Sequence, residues 1–175
     1  MYFGAVLTAD MANGPGVRLS LFVSGCTNHC KGCFQPETWD FCYGKEYTKE
    51  IEDYLLEEVS KDYYRGLTIL GGEPFEPSNQ EVLIHLIRRM RRECTRKDIW
   101  MYTGFVYEKD LVPGGCRYTE YTDEILDSID VLVDGRFEEE QKSLRLNFRG
   151  SSNQRIIDMV QTRTIGKIVL SGLNN

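Results

Sequence analysis

The chain has no apolar run approaching the roughly 20 residues that cross a bilayer, so no membrane span is predicted. Its opening residues, Met1-Tyr2-Phe3-Gly4-Ala5-Val6, lack the basic segment and apolar stretch of a secretory signal. There is no excess of positive charge. Lys and Arg number 21 against 27 Asp and Glu, and the net charge of −6 argues against a general nucleic-acid surface. No Walker A lysine loop and no G-x-G-x-x-G turn occurs, which removes support for nucleotide-phosphate readings. Repeats, low-complexity stretches and linkers are also lacking. What remains is 175 residues, 41% hydrophobic and 27% charged, which reads as one globular domain over residues 1–175 with a real core.

Cysteine is plentiful by contrast. Of six cysteines, three stand within eight residues, Gly25-Cys26-Thr27-Asn28-His29-Cys30-Lys31-Gly32-Cys33-Phe34, spaced C-x3-C-x2-C. A disulfide framework suits small chains with little core, and this chain is too large to need one, so reduced thiols in the cytoplasm are expected. A structural zinc site wants four ligands, usually as two pairs. An iron–sulfur cluster held by three cysteines keeps one iron free of protein ligands, and that iron can bind a substrate. The spacing therefore points to a reactive cluster on Cys26, Cys30 and Cys33. His29 is available as a fourth ligand, but a solvated loop histidine fits an open iron better. Cys42, Cys94 and Cys116 are scattered, form no second pair, and read as small hydrophobes.

Strands alternate with helices along the chain. Val17–Val23, Leu67–Leu70, Ile99–Tyr102 and Val131–Val133 read as strands, and the segments Arg155–Val160 and Lys167–Leu170 as further candidates. Thr48 can cap a helix to about Ser60 with Ile51, Tyr54, Leu55 and Val59 inward. Ser78 and Glu81 form an S-x-x-E capping box for the next helix, and Thr122–Ser128 reads as a short one. This order predicts an α/β fold of mostly parallel strands. At this length it fits an open, partial (β/α) barrel of about five to six units rather than a full barrel of about 250 residues. In such folds the loops after the carboxyl ends of the strands build the site. The cysteine loop, Gly71-Gly72-Glu73-Pro74, Thr103-Gly104 and Asp134-Gly135-Arg136 all follow strands, so all fall at one end.

Gly71-Gly72-Glu73-Pro74 is by itself an ordinary turn between strand and helix. Beside a cysteine loop it gains a second meaning: two residues without Cβ let a ligand touch the backbone, and Glu73 can accept hydrogen bonds from a cationic amine. His85 lies mid-helix as a surface or packing residue. The run Arg88, Arg89, Arg91, Arg92, Arg96 and Lys97 is most simply a solvated helix end, its sharper alternative being a docking patch for an acidic protein.

The ordered set of motifs resembles the radical S-adenosylmethionine enzymes. More narrowly it resembles the activating enzymes of anaerobic (class III) ribonucleotide reductase. The resemblance covers most of the chain. It rests on Asn13-Gly14-Pro15-Gly16-Val17-Arg18, the Cys26/Cys30/Cys33 loop, Glu37-Thr38-Trp39, Gly71-Gly72-Glu73-Pro74, Tyr102-Thr103-Gly104, Val133-Asp134-Gly135-Arg136-Phe137 and Ser151-Ser152-Asn153-Gln154-Arg155. It departs from the wider superfamily at Gly32, where a bulky residue is common before the third cysteine. The resemblance implies a [4Fe-4S] cluster on Cys26, Cys30 and Cys33, with S-adenosylmethionine on the open iron. It implies that Gly71, Gly72 and Glu73 receive the methionyl amine and that Gly32, Cys33 and Phe34 border the adenosine. Thr103, Asp134 and Arg136 would approach the ribose or the methionyl carboxylate. It further implies a glycyl radical made on the reductase as protein substrate, with a flavodoxin- or ferredoxin-type electron donor and no nucleic acid or membrane partner. Two other functions fit the same residues: a small-molecule radical enzyme of deazapurine type, and a non-catalytic iron–sulfur or zinc module.

Overall fold

A computed structural model describes residues 1–174. In chain order its elements are β1 (Tyr2–Asp10), β2 (Arg18–Val23), β3 (Lys45–Glu46), α1 (Lys49–Ser60), β4 (Gly66–Gly71), α2 (Pro77–Glu93), β5 (Asp98–Tyr102), α3 (Tyr107–Asp110), α4 (Thr122–Ser128), β6 (Val131–Asp134), β7 (Arg155–Asp158) and α5 (Met159–Ile165). The strands form one seven-stranded sheet in the order β3-β1-β2-β4-β5-β6-β7. The four central strands β2, β4, β5 and β6 are parallel, with Val23 opposite Gly71, Ile69 opposite Met101 and Tyr102 opposite Val133. The pairings β1·β2, β1·β3 and β6·β7 are antiparallel. The sheet is thus mixed, not mostly parallel as the alternation of elements suggested.

The difference lies at the flanks. β1 is a long strand whose register breaks between Phe3 and Ala5 and between Leu7 and Asp10. Such bulges disturb the period-two pattern by which a strand is read from sequence. At the other edge the segment from Arg155 stops as a strand at Asp158. Asp158 caps α5 by accepting a hydrogen bond from the Gln161 amide (2.9 Å), and Gly166, at φ +74°, closes that helix. Lys167–Leu170 is not a strand; it contributes a single bridge, Ile157 to Leu170. The Ser78–Glu81 capping box does not form either. Pro77 occupies the first helical position with Glu76 as the cap residue, so Ser78 already lies inside α2.

The two faces of the sheet are divided by residue parity. Leu19, Leu21 and Val23 of β2, Leu67 and Ile69 of β4, Ile99 and Met101 of β5 and Leu132 of β6 join one core with Leu55, Leu56 and Val59 of α1, Leu83, Leu86, Ile87 and Met90 of α2, and Ile125 of α4. On α1, Leu56 is buried while Tyr54, read as inward, is exposed. The alternate residues face away from the helices. Phe22, Leu70 and Tyr102 line a cavity there, and Trp100, Val133 and Ile156 form a small second cluster with Phe148 and Leu173. This second face carries the loops 11–16 and 137–150 instead of helices.

Arg18 anchors the first of those loops. It is fully buried, donates from Nε to Thr68 Oγ1 (2.6 Å) and from Nη2 to the Leu67 carbonyl (2.9 Å), and lies over the Trp100 ring. Thr68 in turn donates to the Asn13 carbonyl (2.9 Å). Asp10, at the end of β1, holds the other side by accepting from Ser20 Oγ, Ala12 N and Asn13 Nδ2. Burial alone would raise the Asp10 carboxyl, but these hydrogen bonds outweigh it and hold it below the usual carboxylate range. A depressed folded-state pKa gives stability that is present above about pH 5 and lost as the pH falls below about 4. Asp10→Ala is expected to cost about 1–3 kcal/mol at neutral pH. The difference from wild type in thermal unfolding should shrink toward pH 3.

Except for the exposed Arg96, the basic run on and just after α2 is held by partners within the molecule. Arg88 pairs with Glu124, Arg89 with Glu52, Asp53 and Glu93, Arg91 with Asp130, and Arg92 with Glu93, while Lys97 donates to the carbonyls of Lys61 and Tyr64. That favours the plain reading of a solvated, internally neutralised helix face over a docking patch.

Candidate functional site

Four loops meet where the parallel strands end. The cysteine loop follows Val23, the Gly-Gly-Glu loop follows β4, Thr103-Gly104 follows β5 and Gly135-Arg136 follows β6, so the motifs share one end of the sheet as the sequence predicts. The first two are stitched together by backbone. Gly72 N donates to the Val23 carbonyl (2.7 Å), and Glu73 N to the Gly25 carbonyl (2.8 Å). The short helical turn Pro36–Trp39 closes the other side, Gly25 N donating to Thr38 O (2.8 Å) and Cys26 N to Trp39 O (3.3 Å). This is the structural work of Glu37-Thr38-Trp39.

Between the loops lies a cavity of about 620 Å³. Cys26, Cys30 and Cys33 all line it, with Phe34, Gly71, Gly72, Glu73 and Thr103. All six cysteines of the chain are free thiols. Among the described residues, no three His, Cys, Asp or Glu side chains converge on a point that could hold a single metal ion. The three thiols stand around a shared space instead, as a cluster requires when each iron takes its own thiolate. Burial pushes the Cys26 thiol up to about 11 and raises Cys30 as well, with the Arg136 guanidinium opposing it at Cys30. Ligation must therefore expel protons from both. The donor set and the room beside it fit an iron–sulfur cluster with a further ligand.

Glu73 is a buried acidic group on the cavity wall. Only 1% exposed, it accepts from Phe75 N (2.9 Å), Thr103 Oγ1 (2.9 Å), Gly104 N (2.8 Å) and Asn28 Nδ2 (3.1 Å). Burial pushes its carboxyl up to about 7 against the pull of those donors. A cationic group brought beside it would restore the carboxylate.

Gly72, which lines the cavity, carries a constraint of its own. A Cβ there would lie 2.7 Å from Gly25 O and 3.0 Å from Val23 O, so the backbone that approaches most closely is the protein's own. Gly72→Val is accordingly expected to force the cysteine and Gly-Gly-Glu loops apart. A cost of about 2 kcal/mol in thermal unfolding of the metal-free protein, together with reduced iron uptake, is the expected result. Unchanged unfolding with normal iron would contradict it.

Other expected site residues stand differently. Gly32 is exposed and outside the cavity wall; its φ of +70° lies in the left-handed region that favours glycine, which explains the small residue before the third cysteine. Phe34 sits at the rim, 62% exposed, against Phe137 and beneath Lys142 Nζ. Asp134 is fully buried but faces away from the cavity. Its carboxylate takes Arg155 Nε (2.9 Å) and Nη2 and the Tyr107 amide (2.9 Å), fixing the start of α3 against β7. Arg136 is not on the cavity wall either; its guanidinium is bonded to Asn28. His29 is exposed and stacks on Trp39 with ring centroids 4.6 Å apart, in keeping with a non-ligand. Asn28 and Gln154 escaped the sequence reading: the one joins Glu73 to Arg136, and the other lines the cavity. The only signal for them was membership of quoted motifs.

The 4Fe-4S single cluster domain family matches residues 12–157. The anaerobic ribonucleoside-triphosphate reductase-activating protein of Vibrio cholerae serotype O1 is 40% identical over 147 residues, covering 83% of this chain and 90% of the relative. That of Escherichia coli K12 is 39% identical over the same shares. The protein of the same name from Enterobacteria phage T4 is 35% identical over 158 residues, 89% of this chain and 93% of its own. No solved structure matches the chain.

Proposed function

The chain belongs to the family of anaerobic ribonucleoside-triphosphate reductase-activating proteins, with its 4Fe-4S single cluster domain, and on that premise we propose that it is the radical S-adenosylmethionine enzyme that activates such a reductase. The observation that carries this reading is the sharing of one cavity by Cys26, Cys30, Cys33, the Gly-Gly-Glu loop and Thr103. A [4Fe-4S] cluster with S-adenosylmethionine would supply one-electron cleavage of the sulfur–C5′ bond, giving methionine and a 5′-deoxyadenosyl radical that takes a hydrogen atom from a glycine Cα of the reductase.

The chain's own part is to bind, orient and exclude water. Cys26, Cys30 and Cys33 would hold three irons as thiolates. Glu73, oriented by Thr103 and Gly104, would receive the methionyl amine and neutralise its charge. Phe34 and Phe137 offer aromatic surface at the rim. The parallel strands β2, β4, β5 and β6 would form the centre of the open, partial barrel. A flavodoxin- or ferredoxin-type protein would deliver the electron.

The test is electron paramagnetic resonance on the anaerobically reconstituted protein mixed with its candidate reductase, S-adenosylmethionine and a chemical reductant. A glycyl radical signal on the reductase is the expected result. Cleavage of S-adenosylmethionine without that signal would indicate a small-molecule substrate, and no cleavage at all would remove the radical chemistry.

A further inference from the structure

Of the two motifs Val133–Phe137 and Ser151–Arg155 only Phe137 has a part in the chemistry above, yet the structure joins both to it. Asn153 Nδ2 donates to the Arg136 carbonyl (2.8 Å), and Gln154 Nε2 to the Gly135 carbonyl (3.0 Å). The Gln154 Oε1 atom accepts from Gly150 N (2.8 Å) and Ser151 N (3.1 Å), and Ser151 Oγ accepts from Glu138 N (3.2 Å). The turn 150–154 thus grips the backbone on both sides of Arg136.

From that mount Arg136 reaches across to the cysteine loop. Its Nη2 donates to the Asn28 carbonyl (2.8 Å) and to Asn28 Oδ1 (3.1 Å). Asn28 is buried between Cys26 and Cys30, and its Nδ2 donates to Glu73 Oε2 (3.1 Å). The amide has one sensible orientation. Its oxygen meets a cation and its nitrogen a carboxylate, and a flip would set donors against donors and acceptors against acceptors.

We infer that Arg136 is a positioning residue for the cluster loop: mounted on the 150–154 turn, it fixes the backbone between Cys26 and Cys30 through Asn28, and through the Asn28 amide it also fixes Glu73. The inference rests on the proposed cluster. It differs from the role the family resemblance implies, in which Arg136 touches the cofactor directly.

The experiment measures iron release from anaerobically reconstituted holoprotein to a chelator, the spectrum of the reduced cluster, and S-adenosylmethionine affinity by titration. Arg136→Ala and Asn28→Ala should each speed iron release by about tenfold, the size of one lost charge-assisted hydrogen bond. The double variant should be faster by less than the two single effects multiplied, because Asn28→Ala leaves the backbone carbonyl that Arg136 holds while both changes remove the Arg136–Asn28 Oδ1 contact. Arg136→Lys should restore most of the retention and the wild-type spectrum. Asn28→Asp, which sets a carboxylate against Glu73, should be worse than Asn28→Ala. Wild-type iron release in Arg136→Ala, with only cofactor affinity lost, overturns the positioning role and makes Arg136 a cofactor ligand. Additive effects in the double variant overturn the relay. A wild-type protein that takes up no iron overturns the cluster reading, and the positioning role with it.

Discussion

Replacing Cys26, Cys30 or Cys33 by alanine is expected to lower bound iron from about four per chain to below one, and to lower reductase activation by at least about a thousandfold. The other three cysteines should behave differently, because none lines the cavity. Cys94 is buried behind α2 with its sulfur near the Leu56 carbonyl, and Cys42 and Cys116 are exposed. Cys94→Ala removes a small apolar group from the core and should cost about 1 kcal/mol in stability with iron content intact. Cys42→Ser and Cys116→Ser should leave both unfolding and iron unchanged. Iron analysis and the resonance spectrum of the reduced protein decide the matter. An intact, active cluster in Cys30→Ala would sink the assignment of that thiol.

Arg18→Leu is expected to destabilise the protein by about 3 kcal/mol, the cost of breaking a buried charged network from one side. At this chain length that is roughly 6–12 °C in Tm. The guanidinium is wholly enclosed, and four groups lose a partner with it: the Thr68 hydroxyl, the Leu67 and Pro15 carbonyls and Asp98. Asp98 Oδ1 lies 2.6 Å from Arg18 Nη2, off hydrogen-bond geometry, so that contact is Coulombic. Arg65 binds the other Asp98 oxygen at 2.9 Å but is 68% exposed, and Arg65→Ala should cost under about 1 kcal/mol. Urea unfolding of both variants checks the contrast. Similar losses in the two would show that Arg18 contributes no more than a surface ion pair.

The central strands were legible from sequence because they are buried on both sides and read as short apolar runs between turn signals. The site's location followed from them: each conspicuous motif comes directly after a strand. The edges were harder. β1 hid its pattern behind two register breaks, and Arg155–Val160 looked like one strand because nothing apolar distinguishes Ile157 from Met159; the capping carboxylate of Asp158 makes the division. At the site, the cysteine spacing picks out three residues that line one cavity, and Glu73 and Thr103, taken from their strand position, line it too. Asp134 was misplaced by the same argument. It follows its strand at the correct end, but Arg155, its neighbour across the β6·β7 pair, takes its charge first. Asn28 carries no signal beyond its place in the cysteine loop, because an asparagine there reveals nothing of the cation and the anion it stands between.

The parity of the sheet has a consequence for how this chain tolerates change. In β4, Leu67 and Ile69 face the helices, whereas Thr68 holds Arg18 and Leu70 lines the cavity. Neighbouring codons therefore answer to different pressures. Damage at the helix-facing parity is expected to lower the amount of folded protein, while damage at Phe22 or Leu70, on the cavity side, is expected to alter the site more than the fold. A catalogue of variants sorted only by distance along the chain would blur the two. Sorted by odd and even position within each strand, with Arg18, Thr68 and the Trp100 cluster set aside as structural, it would separate failures of abundance from failures of chemistry.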